Sequence, residues 1–523
     1  MRRIYFIILF LSGFIELSAK AQQAASSAYT DHPLRIEIPV RSANETYRVI
    51  PCGKNGLIMF FRSLEIEDGA RTNWYFTLYD TNFRQIWVKS VPLLNDQIFQ
   101  AHQNGKDTLV LLFVNGGKSK KTENSYGILQ VVMQTGTMIL NNGILDPGAA
   151  VDGFGVQKGR AWLGANIRGQ AGKIVQVGLK QGIHRSFPLG TGTQIAVLWM
   201  EPDTSSLFAS AIVGRQISKK ISEYYLVRYD TNGRIIREVL IGTQSGERTF
   251  TQARVATSNE GTELLAGSYG QNSAGSGDKN RFADESTGLF ASPVRNGTQA
   301  SISFYNFLEL QNAASIVGEN DIMNLKKKAL KKNKSLSEYS LDYSVLLHDI
   351  RVIKNQFLLT AEFFSPQYHT ESFTDFDFYG RPYTNSYSVF DGYRFFNAVV
   401  AGFDQDGKLL WDNNIEIRNL VSFELSPKVV TFPTGNDLVL CYVSDGKIGS
   451  KIIRENNVVE KLDFSAIDLL HPDDKLLNET RGLLMPWYGD YFLSCGYQEI
   501  KNIALETNNK RLVYYVSKIR FEN

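Results

Sequence analysis

The sequence predicts an all-β fold, a β-propeller of eight four-stranded blades, with seven blades as the alternative. A short strand, a polar turn and a strongly apolar strand recur along the whole chain, and most copies are spaced like propeller blades, which are about 40–50 residues long. Aromatic residues make up 12% of the chain, and 43 of its 523 residues are glycine. This composition suits many strands that are joined by tight turns.

Eight copies of the repeat can be counted. Their apolar strands begin at residues 57, 109, 161, 207, 264, 357, 438 and 491. The copy at 207 is the weakest, and for this reason seven blades remain the alternative. The two longest gaps require insertions, for which we predict a short helical insertion near 312–340 and an aromatic-rich loop insertion near 365–394.

The ring of a propeller must also be closed. Residues 34–40 alternate apolar and polar side chains, precede the first repeat and have no partner of their own. We expect them to pair with the last blade as its outer strand, because this closes the ring and removes an exposed sheet edge. A series of β-sandwiches is the alternative, but no linker rich in Pro, Ser or Gly divides the chain.

The first residues, 1–21, are typical of a secretory signal peptide. Two arginines precede an apolar run at 4–15, and Ala19 and Ala21 have the spacing of a cleavage site. The run is short for a bilayer span, and a membrane anchor is the alternative. We therefore expect residues 22–523 to be one exported propeller domain, in the periplasm or on the cell surface of a bacterium. The net charge of +3 argues against a dedicated nucleic-acid binder.

Three cysteines are too few for a disulfide scaffold in an exported chain of this size. Cys441 and Cys495 both lie within apolar runs. We interpret them as buried free thiols that pack as small hydrophobic side chains. A disulfide between neighbouring blades is the alternative, and the odd count leaves at least one cysteine unpaired.

A strand with an aromatic end and an Asp-led turn recurs at 75–82, 225–233 and 399–407. The turns also resemble half of a calcium loop, but the bidentate Glu that completes such a loop does not follow at the required spacing. The turn interpretation is therefore favoured over a metal site. We expect no cofactor.

The segment at 404–412, Asp-Gln-Asp-Gly-Lys-Leu-Leu-Trp-Asp, resembles the repeat of pyrroloquinoline-quinone-type propellers, which have eight blades. That family repeats a Gly and a Trp in nearly every blade, whereas here only Trp411 and, without the Gly, Trp87 fit. The resemblance implies propeller architecture and gives no ground for quinone binding. The segment is similarly close to the non-catalytic scaffold propellers of bacterial envelopes.

The first insertion contains a basic helix. Ile322, Leu325 and Ala329 fall on one stripe, and Asn320 is placed to cap the helix. We interpret it as a solvated helix that bridges two blades; weak contact with an anionic membrane or an acidic partner is the alternative. Its lysines are Lys326, Lys327, Lys328, Lys331, Lys332 and Lys334.

The second insertion has the most unusual composition in the chain. Between residues 363 and 396, 13 of 34 residues are aromatic, interleaved with the Asp, Gly, Arg and Pro of a loop. Exposed rings are costly unless they contact something, so we predict a partner-binding element. The alternative is a lid that buries its own rings. The predicted contact residues are Tyr368, Phe376, Phe378, Tyr379, Tyr383 and Tyr387.

The sequence contains no serine-hydrolase elbow, zinc motif, P-loop or dinucleotide fingerprint. Propellers carry their function in loops on a rigid scaffold. We therefore predict a non-catalytic, extracytoplasmic scaffold that binds an envelope protein or a glycan through end-face loops. The alternative is a carbohydrate-active enzyme with two carboxylates facing each other across the central channel, and a quinoprotein dehydrogenase is a third hypothesis.

Overall fold

The described residues form eight antiparallel sheets that follow one another along the chain, which confirms the predicted eight-bladed β-propeller. Seven sheets use consecutive strands, and the eighth joins the last three strands to the first, β1 (Arg35–Pro39). The computed structural model describes residues 34–521 apart from 43–44, 68–69, 116–123, 168, 190–194, 203–207, 218–221, 244–247, 272–284, 313–315, 317–318, 333–338, 340, 377 and 505–509. The predicted signal peptide lies outside the described residues.

In blades 1 to 7 the strands run from the inner to the outer edge of the sheet in chain order; in blade 8 the last three strands of the chain do so, and β1 is the outermost strand. Blades 1 and 2 consist of β2 (Arg48–Pro51), β3 (Leu57–Glu67), β4 (Arg71–Tyr79) and β5 (Gln85–Leu94), then β6 (Gln97–Asn104), β7 (Thr108–Asn115), β8 (Asn124–Val132) and β9 (Met138–Leu145). Blades 3 and 4 consist of β10 (Ala149–Gln157), β11 (Arg160–Ile167), β12 (Lys173–Gly178) and β13 (His184–Pro188), then β14 (Ile195–Pro202), β15 (Phe208–Gln216), β16 (Ser222–Asp230) and β17 (Ile235–Ile241).

The second half of the ring carries the longest strands and the one described α-helix. Blades 5 and 6 consist of β18 (Arg248–Thr257), β19 (Glu263–Gln271), β20 (Gly288–Arg295), β21 (Thr298–Gln299) and β22 (Ser303–Asn306), then β23 (Ser344–Leu347), β24 (Arg351–Ile353), β25 (Gln356–Phe376), β26 (Pro382–Phe403) and β27 (Leu409–Ser422). Blades 7 and 8 consist of β28 (Val430–Thr434), β29 (Asp437–Ser444), β30 (Lys447–Arg454) and β31 (Asn457–Ala466), then β32 (Asp474–Tyr488), β33 (Tyr491–Asn502), β34 (Lys510–Arg520) and β1. One α-helix, α1 (Glu319–Lys332), and 3-10 turns at Gly53–Asn55 and Phe307–Glu309 complete the described elements.

The apolar strand of the sequence repeat is the second strand of every blade. Each of these strands begins within one residue of its predicted position, and the weakest copy is strand β15, which is buried along most of its length. The core lies between neighbouring sheets. For example, Trp74 of blade 1 packs edge-on against Phe113 of blade 2, with ring centroids 5.0 Å apart. All eight copies are therefore blades.

The N-terminal strand closes the ring as predicted, because β1 pairs with β34 along its whole length. The side chain of Arg35 is fully buried there; it donates to Gln498 Oε1 at 2.6 Å and forms an ion pair with Glu37 at 2.8 Å. Arg511 in turn bridges Glu37, at 2.9 Å, and Asp474, at 2.5 Å. These polar contacts connect the outermost strand to all three other strands of blade 8.

The three Asp-led turns share one geometry. Asp80, Asp230 and Asp404 each use Oδ1 to accept hydrogen bonds from the backbone amides two and four residues later, at 2.8–2.9 Å. An Asp side chain that satisfies its own turn in this way favours tight reversal of the chain. The turn interpretation of the motif is therefore confirmed.

The three cysteines are free and buried, as the sequence predicted for Cys441 and Cys495. Burial raises the pKa of Cys441 to about 12 and that of Cys495 to about 11. Burial also raises the pKa of Cys52 to about 12. Protonated, buried thiols of this kind pack as apolar groups rather than act as nucleophiles.

Both insertions emerge at one end of the ring. In a four-stranded antiparallel blade, the turn between the second and third strands lies at the same end as the connection to the next blade. The long β25–β26 hairpin is such a turn, and α1 lies in the connection from blade 5 to blade 6. We call this end the insertion face.

Helix α1 lies on the ring through the predicted stripe, with Ile322 and Ala329 buried and Leu325 half-buried. Its described lysines, at 326–328, 331 and 332, are all exposed. The helix begins at Glu319, so Asn320 lies in its first turn and is not the N-cap. Lys334 falls outside the described residues. In the part of the chain that is described, no helix is long and apolar enough to cross a membrane.

Candidate functional site

The second and third strands of blade 6 extend far beyond the blade. β25 has 21 residues and β26 has 22, whereas β33, in blade 8, has 12. Beyond Phe364 and before Tyr393 they pair, among the described residues, only with each other. We call residues 365–392 the ribbon. At about 3.3 Å per residue, its β25 half projects roughly 40 Å from the insertion face.

The ribbon corrects the expectation of a loop at 365–394. The Gly, Arg and Pro that suggested a loop are adjacent, at 380–382, where the chain turns, and the flanking residues form a continuous ladder from Pro366 opposite Tyr393 to Phe376 opposite Pro382. The ribbon also does not fold back as a lid. The Phe378 and Tyr379 side chains at its turn are 98% and 80% exposed.

All six predicted contact residues are exposed, but they do not share one surface. Directly opposite residues of an antiparallel ladder share a face, and successive residues alternate between faces. Tyr368 and Phe376 therefore lie on one face, Tyr383 and Tyr387 lie on the other, and Phe378 and Tyr379 lie in the turn. The structure thus divides the six between two faces and the turn, and Tyr368 and Phe376 lie at opposite ends of their face.

The two faces differ in chemistry. The first, which we call the hydroxyl face, has six Ser or Thr side chains between its aromatic ends: Thr370, Ser372, Thr374, Thr384, Ser386 and Ser388. The second, the acidic face, combines carboxylates with rings and one imidazole: His369, Glu371, Phe373, Asp375, Tyr383 and Tyr387. In a ribbon with one buried side, apolar residues would occupy one face and polar residues the other, whereas here both faces mix aromatic and polar side chains.

A chain of hydrogen bonds runs along the acidic face. His369 Nδ1 lies 2.6 Å from Asp391 Oδ1, and its Nε2 lies 3.3 Å from Glu371 Oε1. The Tyr387 hydroxyl donates to Glu371, and the Tyr383 hydroxyl donates to Asp375 at 3.2 Å. The bonds to Asp391 and Glu371 raise the pKa of His369, and those from Tyr387 and His369 lower the pKa of Glu371.

A β-bulge at the foot of the ribbon makes this network possible. The register shifts between Gln367 and Tyr368, which leaves Asp391 without a directly opposite residue. Gly392 follows with a φ of +115°, a conformation that favours glycine, and an added Cβ would lie 3.0 Å from Val421 Cγ1. The glycine therefore lets the bulge form against the neighbouring strand.

Aromatic contacts connect the ribbon to the ring. Tyr368 packs on Phe390 at 5.5 Å between ring centroids, and Phe390 packs on Tyr393 at 4.9 Å. Tyr393 contacts Phe364, which in turn contacts the buried Phe395 of the core. This series of rings runs from an exposed tyrosine to the interior of blade 6, so the ribbon is supported at its foot.

An apolar patch lies beside the foot of the ribbon. Val421, Phe423 and Leu425 are exposed, and Phe423 contacts Phe390 with ring centroids 6.1 Å apart. We call these three residues the foot patch. They lie at the end of β27 and in the connection to blade 7, which is on the insertion face.

The same connection reaches toward the centre of the ring. Arg48, on the inner strand of blade 1, donates two hydrogen bonds of 2.5 and 2.9 Å to Glu424. The contact joins blade 1 to the connection between blades 6 and 7, so it passes blade 8. Partial burial opposes ionisation of Glu424, but the bonds and charge of Arg48 lower its pKa. The fully buried Glu362 accepts from the amides of Lys428 and Val429 at 2.7–3.0 Å. Both carboxylates are thus used to anchor the connection.

A cleft of about 260 Å³ opens between the inner strands of blades 6, 7 and 8. Its polar lining comes from His348, Arg351, Ser426 and Thr431, and the rest is apolar. None of the described residues that line it is acidic, so a pair of carboxylates for glycoside hydrolysis is not found there. In the described ranges, no three His, Cys, Asp or Glu side chains are grouped as metal ligands.

Sequence reasoning missed several residues of the ribbon, namely His369, Glu371, Phe390 and Asp391. The regular spacing of hydroxyl residues in Tyr-x-Thr-x-Ser-x-Thr-x-Phe, at 368–376, is the local pattern that could have identified this segment as a strand. The pairing of His369 with Asp391 depends on the bulge, and no local sequence pattern predicts the bulge.

No known protein family matches the chain, and no curated protein matches it in sequence. Among solved structures, Sqt1 of Saccharomyces cerevisiae is similar over 94% of this chain and 100% of its own, at 8% identity and a TM-score of 0.42. The polysaccharide lyase Uly1 is similar over 81% of this chain and 90% of its own, at 8% identity and a TM-score of 0.38. The propeller domain of the Trilobed protease from Pyrococcus furiosus is similar over 80% and 98%, at 8% identity and a TM-score of 0.34.

Proposed function

We propose that this chain is a non-catalytic, extracytoplasmic propeller scaffold that binds a partner protein through the ribbon. The observation that supports the proposal is the exposure of aromatic side chains on both faces of a two-stranded ribbon that projects from the ring. An isolated two-stranded ribbon is at best marginally stable in water. Contact with a partner would cover the rings and hold the ribbon in place.

The placement of the rings favours a protein over a glycan. Stacking on a sugar chain needs rings in a row on one surface, whereas here the six rings are divided between two faces and the turn. A protein that contacts both faces buries all three pairs. Tyr and Phe suit such contacts because they bury a large area and lose little conformational freedom.

Three other features of the chain, namely the repeat at 404–412, residues 1–21 and the lysines of α1, add only secondary points to this proposal. The resemblance of residues 404–412 to pyrroloquinoline-quinone-type repeats concerns architecture, and we propose no quinone. Because residues 1–21 are predicted to be a signal peptide, we propose that the partner lies outside the cytoplasm, in the bacterial periplasm or at the cell surface. The lysines of α1 lie on the same face and offer at most a weak secondary contact with anionic surfaces.

A trimmed variant tests the proposal. Residues 368–391 are replaced by Asn-Gly, a sequence suited to a two-residue hairpin turn, so that Gln367 and Gly392 stay beside the ring. Retention of Tyr393 and Arg394 matters, because they pair with Ser422 and Val421 of β27. We expect a folded ring with a melting temperature within about 2 °C of the intact chain, since the removed residues are mostly exposed.

The readout is capture of polypeptides from a bacterial envelope extract on the immobilised chain, identified by mass spectrometry. A specific polypeptide should be retained by the intact chain, and by a matched control with Lys326 and Lys327 changed to Gln, but not by the trimmed variant. Equal capture by the trimmed variant would refute the role of the ribbon. A glycan retained in place of a protein would refute the choice of partner.

A further inference from the structure

One edge of the ribbon lacks, over eight residues, the features that usually protect a sheet edge; these features lie only at its two ends, as Pro382 and as the bulge at Asp391. Residues 383–390 of β26 read Tyr-Thr-Asn-Ser-Tyr-Ser-Val-Phe, without charge, glycine or proline. Among the described residues, this segment pairs with β25 on one side only, because β27 begins its contacts at Tyr393. Natural proteins normally place charges, prolines or bulges on an exposed edge of this length to prevent pairing with another chain.

The opposite edge is protected. On β25 the corresponding stretch contains His369, Glu371 and Asp375. Two copies that met through β25 would bring Glu371 and Asp375 close to the same carboxylates of the other copy, and like charges on adjacent strands are destabilising. The two edges of the ribbon therefore differ in whether they can pair with themselves.

We propose that β26 pairs with β26 of a second copy of this chain, antiparallel about a two-fold axis at Asn385. The pairing joins two ribbons into one four-stranded sheet, which passes the minimum of three strands for independent stability. Tyr383 of each copy then lies opposite Tyr387 of the other, which makes two aromatic cross-strand pairs on the acidic face. A symmetric contact of this kind closes as a dimer and does not propagate.

The same register accounts for two further exposed apolar features. Residue 378 of one copy comes level with residue 392 of the other, so Phe378 and Tyr379 reach the foot patch of the second ring. Burial of these rings together with Tyr383 and Tyr387 removes on the order of 1,000 Å² of surface or more, near the lower end of the areas that specific interfaces bury. The outer edges of the two β25 strands remain charged and unpaired.

This dimer goes beyond the proposed function, and it shares the rings of the turn with it. It takes the edge of β26, the turn, and the sides of Tyr383 and Tyr387 that face the other copy, and it leaves the hydroxyl face and the outward side of the acidic face open to the partner. Tyr368 and Phe376, on the hydroxyl face, would then be presented twice.

The test is the mass of residues 22–523 in solution, measured by sedimentation at micromolar concentration. We expect a dimer that becomes a monomer in N385K, because two lysines then lie opposite each other at the axis. S372K, which places the same charge on β25, should stay a dimer. In N385C, mild oxidation should give a covalent dimer, because directly opposite residues are about 4.5–5.5 Å apart; the three native cysteines are buried and free. S388C, opposite Pro382, should not cross-link.

A monomeric intact chain, or a dimer that N385K leaves unchanged, would overturn the proposal, as would cross-linking of S388C but not of N385C. These outcomes are distinct from failure of the proposed function. A monomeric N385K chain that still captures its partner supports both ideas, and loss of capture in the trimmed variant can occur whether or not the intact chain is a dimer.

Discussion

At the scale of single residues, the contacts that define the ribbon and that anchor the connection from blade 6 to blade 7 join positions that no local pattern relates. Arg48 and Glu424 are 376 residues apart, and His369 and Asp391 meet only because a bulge shifts the register. Sequence reasoning identifies the residue types that prefer exposure or burial, but it does not give these partners. The six aromatic residues were found because ring-rich composition is a local signal, whereas their division between two faces depends on pairing.

His369 provides a prediction at this scale. Its bonds to Asp391 and Glu371 raise its pKa above the ordinary value of about 6.5. The stabilisation of the ribbon by protonated His369 is therefore complete below pH 6.5 and is lost as the pH rises through the raised pKa. Burial lowers the pKa of His102 to about 4. NMR titration should thus give a midpoint above 6.5 for His369 and one near 4 for His102.

The matched variant is D391N, which removes the larger cause and should move the His369 midpoint down while leaving His102 unchanged. A His369 midpoint at or below 6.5 in the intact chain would show that the imidazole does not hold these carboxylates in solution.

At the scale of elements, the sequence located the strands that have a buried face and misjudged the one hairpin that has none. The second strand of each blade is a run of apolar residues after a turn, and local patterns are enough to find it. The ribbon has exposed rings and hydroxyls on both sides, so no apolar alternation marks it as a strand. Its turn residues at 380–382 then suggested a loop for the whole segment.

Helix α1 gives a prediction at this scale. Replacement of Lys326, Lys327, Lys328, Lys331 and Lys332 by Gln should shift the melting temperature by less than about 2 °C, because exposed charges contribute little each. The helix is held by Ile322 and Ala329, which the change leaves in place. If the lysines contact anionic membranes, co-sedimentation with phosphatidylglycerol vesicles should fall in the variant. Equal background binding by both forms would dismiss the membrane contact.

At the scale of the whole molecule, the order of elements was predictable because the repeat is nearly regular and one strand without a partner, at residues 34–40, precedes the first repeat. The prediction that residues 34–40 close the ring needed only the alternation of that segment and the cost of an open edge. What the sequence did not show is that both insertions share one end of the ring. That follows from the connection order of the blades.

Closure by β1 is the central claim about the molecule, since the ribbon can act as a fixed projection only on a closed ring. Calorimetry of a chain lacking residues 34–40 tests it most directly. We expect one cooperative transition at a midpoint lowered by roughly 5 °C or more, because the deletion removes the buried Arg35 and leaves Gln498 and Arg511 without partners on β1. A midpoint equal to that of the intact chain would contradict closure of the ring by this strand.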